Sequence, residues 1–224
     1  MVLRLADNRV PTSLASKMRL KRNLRFREVI SDLPRPLRIL DVGGTQAVWE
    51  TIGFAGRGDV FITLLNLEPQ RPSYHNIVSV IGDARNMHFF ADDEFDVVYS
   101  NSVIEHLGKI DDMKRMAREI RRVSNRYFLQ TPYRYFPIEP HFTFPLFQFL
   151  PISWRVFLVM NLSIGWCGLV VPNRMLAEGI VRSIRLLSKR ELRSFFPDAN
   201  IVSEKFFGMT KSLLAIKIRC DEEA

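Results

Sequence analysis

The chain has 224 residues, 47% of them hydrophobic, enough to bury the core of one enzyme-sized domain. Its two cysteines, Cys167 and Cys220, are too far apart for a CxxC or zinc-ligand spacing, which argues against a disulfide framework and for a reducing, cytoplasmic setting. The net charge of +8 is concentrated in the first 38 residues, where ten Lys/Arg face three Asp/Glu, whereas the rest of the chain has 22 against 21.

The opening "MVLRLADNRV" carries Arg4, Asp7 and Arg9, which interrupt any apolar core of a secretory signal, so no export is expected. "SKMRLKRNLRFREVI" follows, with Met18, Leu20, Leu24, Phe26 and Ile30 as an apolar stripe among cations. This predicts a basic helical arm over residues 1–33, either solvated or resting on anionic lipid or nucleic acid.

After Pro34 and Pro36, short β-like runs alternate with helical stretches. "LRILDVG", "DVFITLLNLE", "NIVSVIGDA", "FDVVYSNS" and "RYFLQT" read as strands. "TQAVWETIGF" and "DDMKRMAREIRRV" read as helices, the second with Ile110, Met113, Met116, Ile120 and Val123 three or four apart. Apolar strands separated by helices predict a Rossmann-like, doubly wound α/β domain over residues 34–224 with a mostly parallel sheet. "SKRELRSFF" continues it as a helix, and "NIVSEKFFG" and "SLLAIKI" as a hairpin that brings in an antiparallel last strand.

The rhythm breaks over about 132–187, which predicts an inserted cap. Phe142 to Val171 contains a single charge, Arg155, flanked by uncharged runs of 13 and 16 residues. Each run is shorter than the roughly 18 to 20 residues a spanning helix needs, and Pro145, Pro151 and Asn161 weaken such a helix further. The insertion therefore reads as an apolar helical cap over a pocket or as an element lying in a membrane interface, and either suits a greasy or lipid-linked substrate.

Ligands of open α/β sheets bind beyond the carboxyl ends of the strands. Asp41, Gly43 and Gly44 stand where the first strand reaches that crevice, Glu68 follows the second, and Asp83 with Ala84 follows the third. Glycine there allows close backbone approach, an acid after the second strand can take both ribose hydroxyls, and three acids in a row suit a cationic nucleoside. No GxxxxGK[ST] occurs, and a nicotinamide fingerprint would need glycines at 43, 45 and 48, of which only Gly43 is present.

On these residues the chain resembles class I S-adenosylmethionine-dependent methyltransferases, in particular the methyltransferase type 11 group, over roughly Leu37 to Thr131 and again from Ser188. The resemblance implies S-adenosylmethionine as cofactor, with Asp41, Gly43 and Gly44 at its methionine end, Glu68 on the ribose and Asp83 and Ala84 beside the adenine. Ser100, within "FDVVYSNSVIEHL", then lines the methyl-donor pocket. Thr45 and Ala47 replace glycines usual in the family, and Ser100-Asn101-Ser102 replaces the NPPY of amino-group methylases, which disfavours nucleic acid as a partner.

Of the four histidines, His75 and His88 fall in connecting loops and read as structural. Glu105-His106 follows the fourth strand and resembles an ExxEH cluster that binds a divalent ion in some ubiquinone-pathway relatives, but Ser102 replaces its first acid, so no metal is expected. The loop "TPYRYFPIEPHF" leaves the fifth strand at the crevice, stiffened by prolines, and presents Tyr133, Tyr135, Glu139 and His141, so that His141 can act as a base oriented by Glu139 or a tyrosine. The expectation is methyl transfer to a hydroxyl of a small-molecule, glycan or lipid-linked acceptor by His141 with Glu139 and His106, on a protein that is cytoplasmic or peripheral on the inner face of an anionic membrane. The alternative is a noncatalytic α/β protein docking on a membrane or RNA through its basic arm.

Overall fold

The computed structural model describes residues 14–164 and 170–218; Arg4, Asp7, Arg9, Cys167 and Cys220 lie outside them. Helix α1 (Leu14–Val29) leads into β1 (Leu37–Val42), α2 (Gln46–Ile52), β2 (Val60–Asn66), β3 (Ile77–Ile81) and β4 (Val97–Asn101). A 3-10 turn (Ile104–Leu107), α3 (Ile110–Val123) and β5 (Tyr127–Pro132) complete the first half. The sheet has the order β3-β2-β1-β4-β5-β9-β8, with β8 (Asn200–Phe206) and β9 (Met209–Lys217) forming the expected hairpin. Pairings through β1 to β5 are parallel, and β9 runs antiparallel to both β5 and β8. The doubly wound sheet with one antiparallel strand is as the sequence predicts.

Strands β4 and β5 are buried almost end to end because both sheet faces are covered. On one face, α3 contributes Met113, Met116, Ala117, Ile120 and Val123, and α6 (Lys189–Phe195) contributes Leu192 and Phe195. Helix α6 begins with a capping box, Ser188 Oγ accepting from Glu191 N while the Glu191 carboxylate accepts from Ser188 N.

The opposite face is covered by α1 and α2, where Phe26 meets Trp49, Tyr99 and Phe128 edge-on. The predicted stripe on α1 is therefore corrected in phase: Asn23, Phe26, Val29 and Ile30 are buried, whereas Leu20 and Leu24 are exposed. Two residues along a helix turn about 200°, so Leu24 points away from Phe26. Part of the basic character of α1 is internal. Arg22 makes a bidentate bond to Glu204 and reaches Asn101, and Arg27 donates to Ile52 O. Past the helix, Arg126 clasps Asp32.

The inserted cap contains a two-stranded hairpin, β6 (Ile138–Glu139) with β7 (Phe144–Pro145), a second 3-10 turn (Phe147–Phe149), and helices α4 (Ile152–Asn161) and α5 (Arg174–Ser183). It has its own small core of Phe142, Phe147, Val156, Val159, Ala177 and Val181. No helix among the described residues is long and apolar enough to cross a membrane.

Candidate active site

Parallel register aligns the ends of the first three strands, with Val42 opposite Leu65 and Asn66 opposite Ile81. Gly43 donates to Leu65 O, and Asn66 Nδ2 donates to Gly44 O, so the glycine turn is tied to the end of β2. Gly43 adopts φ +76°, and a Cβ at Gly44 would fall inside the Asp41 carboxylate. Both positions thus need glycine for local reasons.

Asp41 is fully buried, its Oδ2 accepting from Trp49 Nε1 at 2.7 Å and its Oδ1 unpaired among the described residues. Burial pushes its carboxyl up to about 7 against the opposing effect of the Trp49 bond. Glu68 lies two residues past β2 and is exposed. Asp83 lies two past β3, and its bond to Arg85 holds its carboxyl below the usual range. Ala84 is half-buried beside it, and Ser100 is buried with Oγ donating to Val42 O at 3.2 Å. The three acids thus differ in setting: one inside, one in solvent and one clasped by a cation.

A second cluster forms between β4, β5 and the cap. Glu105 is fully buried, accepts from Thr131 Oγ1 at 2.9 Å and keeps Oε1 unpaired among the described residues; burial pushes it up to about 7. Arg185, at the exit of the cap, donates its backbone N–H to Glu105 O at 2.8 Å and fastens the insertion to this turn.

From the cap hairpin, His141 places Nδ1 at 2.7 Å from Glu139 Oε1, and Glu139, 1% exposed, also accepts from Phe142 N. Burial alone would lower the His141 imidazole, but the bond to Glu139 and the charges of Glu139 and Glu105 overcome it and hold it above its ordinary value. His106 is exposed on one side and meets His141 edge-on at 4.8 Å between ring centres; burial and the His141 charge lower it. The structure thus brings Glu139, His141 and His106 together.

Glu105, which the sequence reading left out of the base assembly, stands in the same cluster. Its one sequence signal is its adjacency to His106. Glu105, His106 and His141 each offer a ligand atom within 4.8 Å of the others, a two-histidine, one-carboxylate set suited to a divalent ion, despite the expectation of none. Ser102 takes no part in it: its Oγ donates to Gln130 Oε1.

Residues 60–126 match the family model for a methyltransferase domain. The fold agrees along most of the chain. The N-terminal domain of EvdMO1 with SAH bound superposes with a TM-score of 0.52 at 16% identity, covering 89% of this chain and 80% of that one. The CurJ carbon methyltransferase gives 0.59 at 12% identity, covering 93% of this chain and 56% of that one. Over residues 60–126 the chain is thus similar to a methyltransferase domain, and its fold is that of these methyltransferase structures. The chain is also similar to uncharacterized protein Rv1509 of Mycobacterium tuberculosis, at 28% identity over 156 residues, 69% of this chain and 47% of that one. The chain spans about half the length of the curated relatives it matches. Within this fold the glycine turn sits at the carboxyl edge of the sheet, and the His141 hairpin is inserted after β5 on the same side.

Proposed function

We propose that this methyltransferase domain transfers the methyl group of S-adenosylmethionine to a hydroxyl, with His141 as general base. SAH, the demethylated product of that donor, is bound by the EvdMO1 domain that shares this fold, which supports the choice of donor. The observation that carries the acceptor reading is the 2.7 Å bond from His141 Nδ1 to the buried Glu139 carboxylate. A carboxylate on Nδ1 fixes the tautomer and leaves Nε2 to accept a proton. Displacement at a sulfonium requires collinear positioning above all, and a base adds about a hundred- to ten-thousandfold.

The acceptor is a small molecule, a glycan or a lipid-linked compound. The exposed Trp154, Phe157 and Met175 of the cap favour a lipid-linked one presented at an anionic membrane surface.

Transfer of tritium from labelled donor into fractionated extract, followed across pH, tests the reading. His141→Ala is expected to lower kcat about a hundred- to ten-thousandfold. Glu139→Gln, by removing the charge that raises His141, is expected to move the acidic limb of the pH profile to lower pH with a smaller loss of kcat. An unchanged profile in both variants refutes the base assignment. Loss of activity on chelation, restored by a divalent ion, would instead assign Glu105, His106 and His141 to a metal.

A further inference from the structure

A cavity of about 200 Å³ opens between the cap and the strap that follows α5, lined by Arg134, Gln148, Arg155 and Arg185, with Glu139 in its wall. These cations arrive from separate segments: Arg134 from the loop after β5, Arg155 from α4, and Arg185 from the strap.

Their charges are not balanced from within. Arg185 shares Glu191 through a 2.9 Å bond, but neither Arg134 nor Arg155 has a carboxylate partner among the described residues. The Nε atoms of Arg155 and Arg185 and the Oε1 of Gln148 are buried without a hydrogen-bond partner. Gln148 spends its amide nitrogen on Arg134 O and Phe136 O, so its oxygen is oriented by those two bonds. Burial and the neighbouring Arg182 charge pull the Arg155 guanidinium below its ordinary value, the response of a cation that lacks a counter-charge. The nearest acid in the wall, Glu139, is already engaged by His141 and Phe142 N.

Converging unpaired guanidiniums call for an oxyanion, since their forked donors match phosphate and carboxylate oxygens. Two uncompensated positive charges match a phosphate monoester, which carries about −1.5 to −2 at neutral pH, better than a single carboxylate. We propose that this cavity holds the phosphate monoester of the methyl acceptor, so that the substrate is a phosphorylated alcohol or sugar whose reacting hydroxyl extends past Glu139 to His141. The assignment rests on the methyl-transfer reading for the word acceptor, but the anion site itself does not.

The test is calorimetry and thermal shift on the full chain at constant ionic strength, with inorganic phosphate and glycerol 3-phosphate as probes and acetate and glycerol as controls. SAH is titrated into the same samples. Saturable binding of both phosphates is expected, with acetate and glycerol at least about tenfold weaker. Arg155→Met and Arg134→Met are each expected to weaken phosphate about ten- to hundredfold, while leaving SAH affinity unchanged. Arg57→Met, which removes an exposed arginine paired with Asp59, is expected to change nothing. Should Arg155→Met not fold, Arg134→Met and the wild-type comparison of phosphate with acetate decide the matter. No saturable phosphate binding in the wild type, or equal phosphate affinity in wild type and variants, overturns the proposal. Phosphate binding without SAH binding refutes the donor and the methyl acceptor together while retaining the anion site.

Discussion

Asp41 is an ionisable group sealed beneath a glycine, and its environment converts a ligand-type residue into a pH-sensitive part of the core. Only Trp49 Nε1 compensates its charge, and burial outweighs that bond, raising the carboxyl to about 7. An acid whose folded value exceeds its unfolded one contributes stability fully below about 4 and loses it as pH rises through about 7, because the folded state binds the extra proton in between. The size of the effect is on the order of a few kcal/mol. Glu105, also near 7, and His141, raised as well, act in the same direction. Wild-type melting temperature is therefore expected to fall from pH 4.5 to pH 8, and Asp41→Asn, which keeps an acceptor for Trp49, to flatten part of that fall. Equal slopes in the two proteins would show that Asp41 is ionised throughout.

Helix α1 joins the basic beginning of the chain to the core through one aromatic side chain. Phe26 is wholly buried among Trp49, Tyr99 and Phe128, so Phe26→Ala removes a large side chain from a site that cannot collapse and is expected to cost about 3 to 5 kcal/mol in denaturant unfolding. Leu20→Ala and Leu24→Ala, on the solvent side, are expected to stay within about 0.5 kcal/mol. Equal losses at all three positions would mean that α1 docks by another face. This helix was legible as a helix but not in its orientation, since cations occur on every side of it and Arg22 and Arg27 bond inward. The sheet was legible because β4 and β5 are buried on both faces and begin with unbroken apolar runs, so no periodicity has to be phased. Of the candidate site, the glycine turn and the Glu139-His141 contact were legible by residue type, because both are short-range patterns. What separates a buried Asp41 from an exposed Glu68, or brings Glu105 next to His141, is tertiary packing, and single-chain spacing carries no trace of it. The converging arginines of the cap were hidden for the same reason, being 134, 155 and 185 in the chain.

The molecule as a whole is a covered sheet with a second, smaller core seated over one end, and the two differ in what they show to solvent. On the cap, Trp154 is 60% exposed, Phe157 55% and Met175 84%, with Leu146 and Leu176 also in solvent. Inside it, Val156, Val159 and Val181 are buried. Helix α4 is apolar on both sides, and only one side is used by the fold. An aromatic face of this kind is suited to the headgroup boundary of a bilayer, and the exposed Arg19, Lys21 and Arg25 of α1 can add electrostatic attraction to anionic lipid. The full chain is therefore expected to float with vesicles containing phosphatidylserine and to remain with the soluble fraction when the vesicles are neutral. Trp154→Ser combined with Phe157→Ser is expected to abolish flotation at low and high salt alike, because the apolar contact is lost. Arg19→Gln with Arg25→Gln is expected to weaken it at low salt only, since that attraction is screened within about 10 Å at 0.1 M. Recovery of the whole wild-type protein in the unbound fraction would remove the lipid-linked acceptor from the reading. The exposed aromatics would then be left to act on a soluble substrate, and the arginine-lined cavity, which rests on its own unpaired cations, would stand unchanged.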